Sequence, residues 1–416
     1  MTTTEFSGGY FSKKSLQKYC YNGIIILYDL GRILSEKNAR FKGCFDMRIL
    51  CEQEVLNEAI GIVSRAVASR SNLPVLEGIY IKATEDGKIT LTGNDMEIGI
   101  EAVAEAEVMQ PGEIVINAKM ISGIVRSLAS GKVSIETNEK NQTLIKSGGA
   151  KFEIAGISSE EFPDLPVVDA EYSISVPAKI LKDMINKTGF AVAVTENNPI
   201  LTGCLLKIEK SGLTMVALDG YRMAMCKTEM ENDFEEKTMI IPQKSLAELA
   251  RIITDTEEEI SITATSRNAI FMFDSFKMVT RLIEGNYINY NNVIPKDYAI
   301  EIECSTDQLL ESIQRVSLII LNDVVKSPVR FNISDGNINI SCSTSAGNVD
   351  DNIPADVMDK ALEIGFYNRY LLEAFRVIDS ENVRLKFNSP TSPLVVTPTE
   401  GDDFLYLILP LRLHAE

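Results

Sequence analysis

Asn117-Ala118-Lys119-Met120-Ile121-Ser122-Gly123-Ile124-Val125-Arg126-Ser127-Leu128 reads as a short amphipathic helix, apolar at 120, 121, 124, 125 and 128 and cationic at 119 and 126. A step of seven residues returns to nearly the same helix face about 10 Å further along the axis, so Lys119 and Arg126 point the same way. The same rhythm recurs 125 residues later in Gln243-Lys244-Ser245-Leu246-Ala247-Glu248-Leu249-Ala250-Arg251-Ile252-Ile253. It recurs after another 125 in Asn368-Arg369-Tyr370-Leu371-Leu372-Glu373-Ala374-Phe375-Arg376-Val377-Ile378. One pair of cations seven apart is an ordinary solvated helix face. Three copies at one offset make the chain an internal triplicate in which each copy presents a two-turn cationic stripe.

The rest of the chain falls into the same frame. Pro74 in Leu73-Pro74-Val75-Leu76-Glu77-Gly78 and Pro199 in Asn198-Pro199-Ile200-Leu201-Thr202-Gly203 are 125 apart, as are Phe162 and Tyr287. Lys326-Ser327-Pro328-Val329-Arg330-Phe331 echoes the proline turns at an offset of 129. A first helix is expected in each copy: from Glu54 to about Ala68, from Ala178 to Phe190 behind Pro177, and through Leu309, Leu310, Ile313, Val316 and Leu318 behind Ser305 or Thr306. Alternating stretches at Ile79–Ala83, Lys88–Thr92 and Ile98–Ala106 read as strands, and Thr143–Ile154 as a hairpin turning at Gly148-Gly149. The chain closes in a dense apolar strand, Phe404 to Leu413. Each copy is about 120 residues, far longer than a solenoid repeat, and mixes helices with antiparallel hairpins, which argues α+β. The expected division is 1–46 as an N-terminal extension outside the fold, then domains at 47–168, 169–296 and 297–416. The extension carries seven Lys/Arg against four Asp/Glu and matches nothing in the repeat, as an upstream extension from a misplaced start would.

Composition is that of a globular chain: 416 residues, 45% hydrophobic, 24% charged, net charge −18. Such acidity disfavours a polyanion as partner unless the charge is segregated. Six helical stretches, 54–70, 118–129, 178–190, 243–253, 306–320 and 368–378, hold twelve Lys/Arg and seven Asp/Glu, which leaves −23 for the remainder. One cationic surface on an otherwise acidic body suits a polyanion held on one side and repelled elsewhere. The seven cysteines include no Cys-x-x-Cys pair and fit a reduced, cytoplasmic setting. The aliphatic run Ile24–Leu27 is too short to span a bilayer, so no membrane role is expected. The lone histidine is His414, and no phosphate loop, dinucleotide fingerprint or zinc spacing occurs, so no catalytic residue, metal or cofactor is expected.

Leu73-Pro74-Val75-Leu76, Glu161-Phe162-Pro163-Asp164-Leu165, Ala217-Leu218-Asp219-Gly220-Tyr221-Arg222-Met223-Ala224, Asn292-Val293-Ile294-Pro295-Lys296 and Leu409-Pro410-Leu411-Arg412-Leu413 together give residues 47–413 a resemblance to the bacterial DNA polymerase III beta subunit family, the sliding clamps. The resemblance implies three clamp-type domains forming half of a ring, sequence-independent contact with duplex DNA, and no catalysis. It implies DNA contact at Arg70, Lys119 and Arg126, and by repeat position at Lys244, Arg251, Arg369 and Arg376. It also implies an apolar cleft between the second and third domains, where the replicative polymerase catalytic subunit, the clamp loader and other proteins dock short peptides. The matching positions are Leu201, Leu218, Gly220, Tyr221, Arg222, Met223, Val293 and the tail Leu407, Ile408, Leu409, Pro410, Leu411 and Arg412. Ile288 stands where the family turn has proline, and His414-Ala415-Glu416 runs past the usual end, so peptide preference is left open.

Helix counting agrees with a ring. Six helices side by side make a circle about 19 Å across their axes and a bore of about 9 Å; twelve make about 38 Å and a bore of about 28 Å, wide enough for a hydrated duplex. A head-to-tail homodimer is what that count requires. Two other readings remain: an acidic three-domain interaction scaffold without DNA contact, and an enzyme using a Cys or Asp nucleophile.

Overall fold

The structure is a computed structural model that describes residues 45–413 except 167–171, 195–197, 231–235, 255, 274, 321–326, 335 and 358–360, together with the backbone of 20–21 and 24–25. Most of the N-terminal extension and the His414–Glu416 tail lie outside the described residues.

Six α-helices occur among the described residues: α1 (Gln53–Val63), α2 (Ala118–Ser127), α3 (Ala178–Thr188), α4 (Gln243–Ile252), α5 (Thr306–Ser317) and α6 (Asn368–Phe375). Their buried stripes keep the repeat register. Ile121, Leu246 and Leu371 are each fully buried, and Val125 and Phe375 flank the same stripe in α2 and α6. Asn117 caps α2, its Oδ1 accepting from the Met120 N–H at 3.1 Å. Ser305 caps α5 in the same way at 3.4 Å. α1 stops at Val63 and continues as a 3₁₀ turn, Ser64–Ala66, two residues short of the expected end.

Each helix pair packs on antiparallel sheets, and the sheets join the repeats. One eight-stranded sheet runs from Gly112–Asn117 through Gly78–Ala83, Lys88–Asn94 and Ile98–Glu105 of the first repeat into Phe276–Arg281, Asn268–Phe273, Glu259–Ala264 and Tyr172–Pro177 of the second. The seam pairs Phe276 with Ala102 and Met278 with Ile100. A second eight-stranded sheet runs from Lys237–Pro242, Gly203–Glu209, Gly212–Leu218 and Arg222–Glu229 of the second repeat into Phe404–Ile408, Leu394–Pro398, Asn382–Phe387 and Ile300–Ser305 of the third, its seam pairing Cys226 with Phe404 and Met223 with Leu407. Beside the two-stranded pair Cys20–Tyr21 with Ile24–Ile25, two smaller sheets remain, of five and four strands. One ends on Ala150–Ala155 in the first repeat and the other on Gly347–Pro354 in the third.

The Gly148-Gly149 hairpin forms as the sequence suggests, with Ser147 opposite Ala150 and Gly148 in the left-handed region at φ +53. Two expectations are corrected. The last strand ends at Ile408, because Pro410 has no N–H to extend the ladder; the Leu409 N–H turns to the Tyr221 carbonyl at 2.9 Å, and Leu411 makes only an isolated bridge to Gly365. The proline stretches at Pro74–Glu77 and Pro199–Thr202 are 3₁₀ turns, but Pro328 leads directly into the strand Val329–Ser334; Lys326 is outside the described residues.

Candidate functional site

The helices of successive repeats adjoin. Arg65, just past α1, reaches Glu248 of α4 at 3.1 Å, and Lys187 of α3 reaches Asp379, just past α6, at 3.3 Å. A hollow of about 510 Å³ between α1, α2 and α4 is lined by both Arg126 and Arg251, together with Asn57, Ser64, Arg65, Ser122 and Glu248. Ser122 and Ser64 also line a second hollow of about 300 Å³ with Lys119 and Ser69, the neighbour of Arg70. The cationic stripes of the first two repeats therefore share one face.

The seven expected cations, Arg369 and Arg376 of the third repeat included, are all exposed, but they are not equivalent. Lys244 is held by Asp95 at 2.6 Å and Glu97 at 3.3 Å, both from the first repeat, Arg251 pairs with Glu248, and Arg369 pairs with Glu373 at 2.7 Å. Burial alone would lower the Lys244 ammonium, but the two carboxylates outweigh it and raise it. Arg70, Lys119, Arg126 and Arg376 make no ion pair among the described residues. Asp95, Glu97 and Glu248 were not anticipated. The one clue in the sequence is that Asp95 and Asp219 stand 124 apart before the same kind of turn. Asp95 accepts from the backbone of Glu97 and Ile98, and Asp219 from that of Tyr221 and Arg222. The residue at the tip of each turn, Met96 (φ +75) or Gly220 (φ +90), is left-handed.

On the opposite face of the second seam lies a separate apolar cluster: Leu201, Leu205, Val216, Leu218, Met223, Met225, Ile240, Val395 and Leu407, with Tyr287, Tyr290, Ile294 and Tyr298 packed against it. Four expected cleft residues, Leu201, Leu218, Met223 and Leu407, thus come together. Around them Tyr221 is 62% exposed, Val293 48%, Leu409 36% and Leu411 37%, and the Leu409–Tyr221 backbone bond brings the tail to the turn. Gly220 and Arg412 are exposed and Pro410 half-buried. A hollow of about 680 Å³ adjoins the cluster along Leu205, Ile240 and the connecting segment Leu282–Asn291, which includes Ile288.

Strand alternation sends the other two expected residues to the helix side. Ile408 joins the main core. Arg222 is buried, bonded to Asp219 at 3.1 Å, to Glu373 and to the Phe190 carbonyl at 2.6 Å, and its guanidinium lies 4.5 Å from the Tyr370 ring centre. Burial alone would raise the Glu373 carboxyl, but bonds from Arg369 and Arg222 hold it below the usual carboxylate range. Arg222 is therefore a clamp between the second and third repeats, and it does not line the cleft surface. Tyr370, stacked on Tyr221 with ring centres 6.4 Å apart, is a cleft neighbour that the sequence did not single out.

Nucleophilic chemistry finds no support among the thiols. Burial pushes Cys204, Cys226 and Cys304 up to about 12 and Cys51 up to about 11, the opposite of an activated cysteine. No cluster of three or more metal-ligating side chains occurs among the described residues, and no helix among them is long and apolar enough to cross a membrane.

Comparison with known proteins gives one answer along the chain. The DNA polymerase III beta subunit N-terminal, central and C-terminal domain families match residues 47–166, 175–289 and 291–412. The beta sliding clamp of Bacillus subtilis (strain 168) is 34% identical over 382 residues, covering 88% of this chain and all of the relative, and that of Halalkalibacterium halodurans is 33% identical over 384. Among solved structures, a DNA polymerase sliding clamp from Bacillus subtilis superposes with a TM-score of 0.85 at 32% identity over 89% of this chain and all of that one. A putative DNA polymerase III beta subunit from Eubacterium rectale gives 0.84 at 35% identity over 88% of this chain and all of that one.

Proposed function

The chain belongs to the DNA polymerase III beta subunit family and is a DNA sliding clamp, a non-catalytic processivity factor, and from that premise we propose how its own residues close the ring, hold DNA and dock partners. Two seams of one kind join its three repeats: a strand of the Ile98–Glu105 type in one repeat pairs with a strand of the Phe276–Arg281 type in the next. The third repeat keeps its own strand of the first type, Gly347–Pro354, and the first repeat its own strand of the second type, Ala150–Ala155; both are terminal in their sheets. A second copy placed head to tail pairs these two edges and leaves none over. This is the observation that carries the proposal, and it yields a closed ring of two copies, six repeats and twelve helices, whose two junctions are each heterologous. Carrying the register of the existing seams across sets Phe152 opposite Val349 and Lys151 opposite Asp350, apolar on apolar and charge on countercharge.

In that ring Arg70, Lys119, Arg126, Lys244, Arg251, Arg369 and Arg376 face the bore and meet phosphates without reading bases. The cluster around Leu201, Leu218, Met223 and Leu407, rimmed by Tyr221, Val293, Leu409 and Leu411, docks apolar linear peptides of the replicative polymerase catalytic subunit, the clamp loader and other clamp-binding proteins. The site of action is the cytoplasm. Native mass spectrometry tests closure and should report a dimer. Retention on circular duplex, with loss on linearisation, tests encirclement. An acidic scaffold without DNA contact would give no difference between circle and line.

A further inference from the structure

The second helices of the three repeats share one pattern with one exception. Lys119, Lys244 and Arg369 occupy one repeat position and Arg126, Arg251 and Arg376 another. Between them the second and third repeats carry Glu248 and Glu373, four residues after the first cation and three before the second; the first repeat carries Gly123 there. Each of these carboxylates takes one arginine of its own helix and one from the preceding repeat: Glu248 takes Arg251 and Arg65, and Glu373 takes Arg369 and Arg222. Lys244 is covered by Asp95 and Glu97. The first repeat has no such carboxylate. Glu54 on α1 bonds to Ser130 at 3.1 Å and pairs with no stripe cation.

We infer that the bore is electrostatically uneven: the first-repeat sector at Lys119 and Arg126, left open by Gly123, is its principal phosphate-holding surface, and Glu248 and Glu373 mute the corresponding sectors of the second and third repeats. The inference rests on the reading that these helices face DNA. A cation already held by a carboxylate presents a dipole to a phosphate and releases fewer counterions on contact; an unpaired one presents a full charge. Each internal seam sets the first helix of one repeat beside the second helix of the next, so head-to-tail closure sets α5 of one copy beside α2 of the other, while Arg376 on α6 stays at the seam with the second repeat. The unpaired cations of the first repeat therefore lie on the side of the two opposed junctions between copies, and the duplex is drawn toward them and away from the ring's second repeats.

Gly123 also supplies the test. It is exposed, within α2, and a Cβ built on it meets nothing within 4 Å, so a side chain is tolerated there. Gly123→Glu installs the missing carboxylate between Lys119 and Arg126; Gly123→Gln is its uncharged control. Binding of the full-length dimer to a labelled duplex of about 30 base pairs is followed by fluorescence anisotropy from about 50 to 200 mM salt. Masking two phosphate contacts per chain, four per dimer, lowers the salt slope by about 3.6, a loss of roughly 150-fold in relative affinity across that range. Gly123→Glu and the pair Lys119→Gln with Arg126→Gln should both show this loss, Gly123→Gln should stay within about twofold of the unaltered chain, and Lys244→Gln with Arg251→Gln should lose no more than about threefold. Equal losses for the two double variants, or a Gly123→Glu chain that binds as Gly123→Gln does, would overturn the inference while leaving DNA contact intact. An unaltered dimer with no salt-dependent duplex binding would instead refute the DNA-facing reading beneath it.

Discussion

Arg222→Ala removes the centre of the clamp between the second and third repeats. Its side chain is 4% exposed, and those of its partners Asp219 and Glu373 are 12% and 24%. Removing one partner of a buried ion pair costs about 3–5 kcal/mol. Glu373 keeps its bond to Arg369, so the lower end applies, about 3 kcal/mol with the stack on Tyr370 included. The second and third repeats together are of a size at which each kcal/mol moves the thermal midpoint by about 2–4 °C, so the expected fall is about 6–12 °C. Scanning calorimetry at neutral pH measures it, and Arg222→Met, which keeps the bulk, should recover part of the loss. The clamp also has a pH signature. Glu373 is held below its ordinary value of 4.5, so its contribution is present above that value and drains away as pH falls through the depressed one. The gap between the unaltered chain and Arg222→Ala should therefore narrow below about pH 4.5. A midpoint shift under about 2 °C, or a gap that stays constant into acid, would refute the reading of Arg222 as a buried clamp.

Leu218→Ala, which spares that clamp, should weaken an apolar docking peptide about tenfold, the burial of one leucine methyl pair, and leave duplex binding unchanged; anisotropy with labelled peptide and labelled duplex separates the two. Lys151→Glu should raise the dimer dissociation constant on the order of tenfold, since each ring carries the altered contact twice, and adding Asp350→Lys should restore it; sedentation of the ring by analytical ultracentrifugation reads both steps, and failure of the rescue would place the edge register elsewhere. Cys51, Cys204, Cys226, Cys304 and Cys342 are buried, and they should resist iodoacetamide at neutral pH in the folded chain and react after denaturation, as read by mass spectrometry.

The repeat was legible because each of its marks is a property of one short stretch. A stripe of apolar positions fixes which side of a helix is buried, and Ile121, Leu246 and Leu371 occupy identical places in three cores. Leu201, Leu218, Met223 and Leu407 could be grouped for the same reason, through a resemblance carried by contiguous motifs. Arg222 could not. Strand alternation alone decides whether it faces the cleft or the helices, and its partner Glu373 is 151 residues away. The ion pairs of Lys244 were hidden likewise: Asp95 and Glu97 belong to another repeat, 149 and 147 residues distant. A helical wheel shows that a cation is exposed but not what stands opposite it.

The seams lie deepest of all, because a strand's alternation reports its two faces and is silent about its two edges. A faint signal does exist. The seam strand Phe404–Ile408 carries Leu405 and Leu407 on its outer face and Ala150–Ala155 carries Lys151 and Glu153 there, although the paired strand Phe276–Arg281 also carries Lys277 and Arg281, which is why the signal is faint. Charge on an outer face is how an edge stays soluble until its partner arrives. That partner cannot come from the same chain. Both strands of the opposite type within it, Ile98–Glu105 and Arg222–Glu229, are already paired, and Gly347–Pro354 sits at the far end of the array beyond a whole intervening repeat. In the proposed ring a second copy satisfies both ends, and twelve helices side by side give a bore of about 28 Å, wide enough for a hydrated duplex.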